Sequence, residues 1–300
     1  MSWQARLLNP VLRYIEKPQL ARAVEPAAVR AKFERHASWL FRRPRGVAIR
    51  EAPLGEGQAL WCGAGEGTIL YVHGGAYIMG SPRTHAYLAA RIAQATGATV
   101  CVPRYRLAPE HPFPAAPDDI MAAYRALLEA GHDPRRVIIG GDSAGGGLAL
   151  VLLTQILAKG LPVPAGYFGF SPFTDLTFSG ASFRENAKAE VLLPATRAED
   201  LAEFYLQGQD PADLRASPLF ADMAGAPPVW LSVSDTEILR DDTFRLAEKL
   251  AEQGREVHLH KAGNLPHAWP IFQGRLPEAD VAIRDLAVWV RSILTASAGS

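Results

Sequence analysis

The feature that most constrains this chain is the pentapeptide Gly141-Asp142-Ser143-Ala144-Gly145 together with its setting. An apolar β-like run over residues 136–140 leads into it, and a helical pattern over 144–159 leads out. A serine at so sharp a strand-to-helix turn sits in a strained backbone conformation. Small residues two places to either side let strand and helix approach closely, and the helix N-terminus sets positive dipole character beside the hydroxyl. Ser143 therefore reads as a nucleophile, and its turn belongs in a sheet whose strands alternate with helices.

The rest of the chain supplies that alternation. Residues 68–72, 98–102, 166–170, 229–233 and 256–260 read as strands, with helical patterns at 84–96, 117–130, 241–253 and 278–294 between and after them. Gly97, Gly131 and Gly254 stand where helix C-caps belong. Strands separated by helices predict a mostly parallel sheet with helices on both faces. Two regions break the rhythm. Residues 1–45 look helical and end in Trp39, Leu40 and Phe41, while 172–215 separate two strands by far more than an ordinary loop. In open α/β sheets the ligand crevice lies at the carboxyl ends of the strands. The expectation is a single α/β domain over 1–300, with a helical cap drawn from 1–45 and 172–215.

Charge narrows the partners. The 31 basic and 31 acidic residues cancel, so there is no electrostatic reason to expect nucleic acid or an anionic membrane. The short basic run Arg42-Arg43-Pro44-Arg45 reads as a solvated face. No signal peptide is readable at the N-terminus. The longest apolar stretch, 148–158, is too short to span a bilayer, and no amphipathic membrane helix is evident. A soluble, cytoplasmic protein without a membrane partner is expected. Cys62 and Cys101 each fall in an apolar segment and read as buried free thiols, with no metal-ligand spacing.

Two more motifs carry chemistry. His73-Gly74-Gly75-Ala76 follows the strand at 68–72, where backbone N–H groups can face a developing oxyanion. The donors expected there are in Gly74, Gly75 and Ala76, joined by Ala144; His73 reads as a brace for the loop. The second motif is Leu265-Pro266-His267-Ala268-Trp269, after the last strand. A general base must be polar, positioned and near neutral in pKa, which suits histidine. Of the eight histidines, His258 and His260 alternate within a strand. His36, His85 and His132 lie in helical or turn contexts, and His111 in a Pro-rich loop. His267 alone has the position that the order serine, acid, histidine requires. For the acid, Asp235 and Glu237 both follow the strand at 229–233, and physics alone does not separate them. Trp39, Phe41 and Tyr77 are candidate walls of a substrate pocket.

The chain resembles the hormone-sensitive-lipase-like family of microbial carboxylesterases. The resemblance rests on the motif at His73, the segment from Tyr105 to Asp119, the run Gly141–Gly146 and the loop at His267. It implies an α/β-hydrolase fold capped by the N-terminus and a mid-chain insertion. It also implies a serine carboxylesterase acting on short- to medium-chain acyl esters through an acyl-enzyme, with no metal or organic cofactor. Aligning Leu239-Arg240-Asp241 with the family's pattern puts Glu237 at the position of the triad acid, where the family usually has Asp. Ala76 stands where a third glycine is usual; alanine keeps the backbone N–H but tolerates fewer conformations. Glu110 and Asp142 are read as structural supports of the site loops. Relatives of the fold that only bind a small molecule typically lack the base, and His267 is present. Amide, lactone and acyl-transfer chemistry would use the same machinery, so the sequence leaves them open. A last strand at a sheet edge invites pairing across a two-fold axis, so a homodimer is also expected.

Overall fold

The short apolar runs become one eight-stranded sheet in the computed structural model, which describes residues 1–22 and 25–296 apart from the side chains of His36, Ser38, Trp39 and Leu40. The strands are β1 (Ile49–Leu54), β2 (Gly57–Cys62), β3 (Thr68–Val72), β4 (Thr99–Pro103), β5 (Val137–Asp142), β6 (Gly166–Phe170), β7 (Val229–Ser234) and β8 (Val257–Ala262). Their order is β1-β2-β4-β3-β5-β6-β7-β8. β2 pairs antiparallel with both β1 and β4, and every other neighbouring pair is parallel. β3 and β5 are buried at every position, as parallel strands covered on both faces must be.

Alternation along the strands feeds two cores. Val137 and Ile139 face one side, where they join Ile120, Leu150 and Leu246. Ile138 faces the other, with Ile92, Leu286 and the large buried ring of Trp230. The covering helices follow from these contacts. α1 (Trp3–Val11) runs through a π-helical turn (Leu12–Glu16) into α2 (Lys17–Arg22), followed by α3 (Pro26–Leu40), α4 (Ala86–Thr96), α5 (Ala115–Glu129) and α6 (Ser143–Ala158). After them come α7 (Ser182–Glu185), α8 (Ala198–Leu206), α9 (Arg240–Glu252) and α10 (Pro277–Ala296). α5, α6 and α9 serve the first core, α4 and α10 the second.

Several features differ from the sequence reading. The hairpin of β1 and β2 was not anticipated, because β1 is largely exposed and carries Arg50, Glu51 and Pro53. Charges and proline are what a sheet edge tolerates. β8 forms the opposite edge. Cys62 and Cys101 are buried and free. Cys62 pairs in register with Val100 and Cys101 with Trp61, so their side chains point to opposite faces of the sheet and into different cores. Trp3, Leu7, Val11, Tyr14 and Ile15 are exposed along the first helical segment, an apolar side that the sequence reading did not single out. No described helix is long and apolar enough to cross a membrane.

The mid-chain insertion runs from β6 all the way to β7, beyond the expected boundary at 215. Its last helical turn, Pro218–Phe220, packs on α6 and α9. Its beginning is tied to the start of α9: Asp242 Oδ2 accepts the Thr174 and Asp175 N–H groups at 2.7 and 3.0 Å, and Asp241 Oδ2 accepts that of Ser182 at 2.8 Å.

Candidate active site

β5 ends at Asp142 and α6 begins at Ser143, whose φ of 51° is left-handed. A side chain rarely adopts that region without cost. The backbone on either side leaves no room for a Cβ: one built on Gly141 or on Gly145 would lie 2.2 Å from the Val72 carbonyl oxygen. The pentapeptide's glycines are thus explained by the close approach of the turn to the end of β3. The Ser143 carbonyl in turn accepts the Phe173 N–H at 3.0 Å, which fastens the start of the insertion to the turn.

His267 follows β8 in a loop and is buried. Its Nδ1 lies 2.7 Å from Glu237 Oε2. Glu237 is fully buried, and its Oε1 accepts the Ser171 hydroxyl at 2.9 Å and the Ser234 N–H at 2.7 Å. The same two serines hold the histidine loop: Ser171 Oγ accepts the Ala268 N–H at 3.2 Å, and Ser234 Oγ accepts the Leu265 N–H at 3.0 Å. Asp235 is exposed and does something else. Its Oδ1 accepts the Asn264 N–H at 2.8 Å, capping the turn after β8. Of the two acids the sequence left open, Glu237 is the one on the imidazole. Burial resists charging the imidazole, but the bond to Glu237 and the negative charges of Glu237, Glu190 and Asp142 outweigh it, so the His267 pKa is raised. Its Nε2 has no hydrogen-bond partner among the described residues, and His267 and Ser143 line one cavity.

The loop after β3 corrects one expected donor. The Gly74 N–H donates to Asp142 Oδ1 at 3.0 Å, so it is already committed and unavailable to a substrate oxygen. That leaves Gly75, Ala76 and Ala144. Gly75 has φ 125°, and a Cβ there would meet the Met79 carbonyl oxygen at 2.2 Å. Ala76 takes the place of glycine at φ 50°, a conformation alanine reaches at a cost. Asp142 is the knot of this region. Besides Gly74 it accepts the Tyr71 hydroxyl at 2.6 Å and pairs with His85 Nε2 at 3.4 Å. Burial disfavours its charge, yet these partners hold its pKa down at about 2. His73 is a brace: its ring stacks on Tyr105 at 4.3 Å, and the Tyr105 hydroxyl donates to the His73 carbonyl at 2.8 Å. Burial pushes the His73 pKa down to about 3, which keeps it neutral. Glu110 acts through Arg30 of α3, pairing with it at 2.9 Å while Arg30 also donates to the Ile78 carbonyl at 3.1 Å.

The cavity has a volume of about 230 Å³. Both irregular regions build its walls: Leu12, Val29 and Phe33 come from the N-terminal helices, and Phe173, Phe178 and Phe183 from the insertion. Phe41 and Tyr77, expected as walls, line it; the Trp39 side chain lies outside the described residues. Ser171, Ser234, Tyr71 and His85 escaped sequence reasoning. The available signal was a polar residue at or just past the carboxyl end of a buried strand, which Ser171 and Ser234 both satisfy. Away from the cavity, ligand atoms of His258, His260 and Asp285 converge closely enough for an ion. There the two imidazoles and the Trp230 N–H already share Asp285 Oδ2, at 2.8, 3.0 and 3.1 Å.

Comparison with known proteins agrees with this geometry. The family described as the alpha/beta hydrolase fold matches residues 69–271. An acetyl-hydrolase of Streptomyces hygroscopicus is 40% identical over 225 residues, 75% of each chain. An esterase of Acinetobacter venetianus is 38% identical over 226 residues, again 75% of each. Among solved structures, EstE5 soaked with p-nitrophenyl butyrate superposes with a TM-score of 0.92 at 34% identity, covering 98% of this chain and 100% of that one. An esterase from the bacterial hormone-sensitive lipase family superposes with a TM-score of 0.91 at 33% identity, covering 98% and 99%. With its strained serine, its sheet and these relatives, the chain belongs to the α/β-hydrolase family, among the hormone-sensitive-lipase-like esterases, and is a carboxylic ester hydrolase.

Proposed function

We propose that this esterase cleaves short- to medium-chain acyl esters through an acyl-enzyme, with Ser143 as nucleophile, His267 as general base and Glu237 as the acid that holds the imidazole. The observation that carries the reading is the buried 2.7 Å contact between His267 Nδ1 and Glu237, with the opposite ring nitrogen unpartnered in the cavity that Ser143 lines. The substrate carbonyl oxygen settles against the N–H groups of Gly75, Ala76 and Ala144. Ser143 Oγ attacks the carbonyl carbon as His267 Nε2 takes its proton, and Glu237 stabilises the imidazolium. The C–O bond to the alcohol breaks, and the alcohol leaves with the proton from His267. Water then attacks the acyl-enzyme by the same route, releasing the acid and restoring Ser143. The phenylalanine and leucine walls favour an apolar substituent. The butyrate ester soaked into EstE5 supports the short end of the chain-length range.

Substrate range is tested with p-nitrophenyl acetate, butyrate, octanoate and palmitate. kcat/KM is expected to peak among the shorter esters and to fall at palmitate; a maximum at palmitate contradicts the proposal. Replacing the acids separates their roles. Glu237→Ala is expected to lower kcat about 10⁴-fold, the loss typical of a triad acid, whereas Asp235→Ala stays within about threefold, as for a surface change. The reverse pattern overturns the assignment. The pH profile has a definite sign. A base works only when neutral, and the His267 pKa is raised, so the acid limb of kcat/KM should lie above the ordinary imidazole value of 6.5. A limb below about 6 would contradict this.

A further inference from the structure

A second buried carboxylate stands beside the pair. Glu190 lies in the mid-chain insertion and is 1% exposed. A carboxylate oxygen of Glu190, one of Glu237 and a ring nitrogen of His267 all lie within 4.8 Å of one another. Glu190 Oε1 accepts the Leu192 N–H at 2.8 Å, and Oε2 the Ile238 N–H at 3.4 Å, the residue after Glu237. It therefore leans on the backbone of the loop that carries the acid.

Its place is fixed from the N-terminal side. Lys17 Nζ donates to the Glu190 and Ala187 carbonyls at 2.7 and 2.9 Å. Arg13 donates to the carbonyls of Lys188 and, at 2.8 Å, Ala189. The charged groups facing Glu190 are thus Lys17 from α2, Glu237 from the loop after β7 and His267 from the loop after β8. Asp142, from the turn after β5, also acts on His267. Burial pushes the Glu190 carboxyl up; His267 pulls it down and Glu237 pushes it further up. A carboxylate this deep is costly unless a cation compensates it. The cations within reach are Lys17, which donates to the Glu190 main-chain carbonyl, and the imidazolium formed when His267 takes the Ser143 proton.

We infer that Glu190 is a positioning residue for the base: a second carboxylate, delivered by the insertion, that together with Glu237 favours the imidazolium form of His267 during the reaction. The inference rests on the reading of His267 as general base. Two carboxylates around one imidazole make the base stronger than a single acid partner would, and the second is supplied from outside the sheet.

The test compares Glu190→Gln and Glu190→Asp with the unaltered protein on p-nitrophenyl butyrate across pH. Glutamine keeps the shape and removes the charge. It is expected to lower kcat on the plateau and to move the acid limb to lower pH by about one unit, the low end of what a charge at such range produces. KM should change little. Glu190→Asp keeps the charge and should return the limb toward its original pH. A limb that stays in place in Glu190→Gln, with or without loss of plateau activity, reduces Glu190 to packing and overturns the inference. Failure of the underlying reading looks different: the unaltered protein itself would then show no acid limb.

Discussion

Glu237 and His267 form a buried hydrogen-bonded pair at the carboxyl ends of β7 and β8. Much of the surrounding structure answers to the cost of that pair. A lone charge in such a place is expensive, and removing one partner of a buried pair typically costs about 3–5 kcal/mol. The Ser171 hydroxyl and the Ser234 N–H meet the second oxygen of Glu237, and the hydroxyls of both serines hold the histidine loop, so Glu237 and His267 are aligned by the same two residues. The N-terminal helices and the insertion set apolar walls around the cavity above them. The pair would be weaker, and the imidazole less basic, in an open site.

Asp142 plays the corresponding part on the side of Ser143. It sits directly before Ser143, and its carboxylate gathers Tyr71 and Gly74 from β3 and the loop after it, with His85 close by. Ser143 and the loop of candidate oxyanion donors are therefore tied together by one buried carboxylate. Tyr105 adds a clamp on His73 from the segment after β4. These contacts account for the long Pro-rich stretch from Tyr105 onward: it brings Tyr105 and Glu110 to the back of the loop, where Glu110 meets Arg30 of α3.

Much of this was legible in the sequence, for physical reasons. A serine between glycines at a strand-to-helix turn, and a histidine after the last strand, are local patterns whose chemistry depends on position along the chain. What could not be read were long-range commitments. Gly74 belonged to a glycine loop expected to donate to substrate, but its partner, Asp142, lies 68 residues away. Asp235 and Glu237 are two residues apart and equivalent on the residues alone; the family pattern pointed to Glu237, and the turn after β7, in which the Glu237 N–H meets the Ser234 carbonyl at 3.2 Å, is what carries it inward. β1 lacked the continuous apolar run of the central strands, and the short run Ala59–Cys62 of β2 was not recognised as its partner. Phe173, Phe178 and Phe183 follow no helical or strand period, so their shared wall appears only in three dimensions.

The central claim is that ester cleavage passes through a covalent bond to one serine. The most direct measurement is the site of labelling by a fluorophosphonate, read by intact mass and peptide mapping. The account predicts a single adduct on the peptide carrying Ser143, with loss of esterase activity in step with labelling and no adduct in Ser143→Ala. An adduct on another residue accompanied by loss of activity, or a fully labelled Ser143 with activity intact, would contradict it.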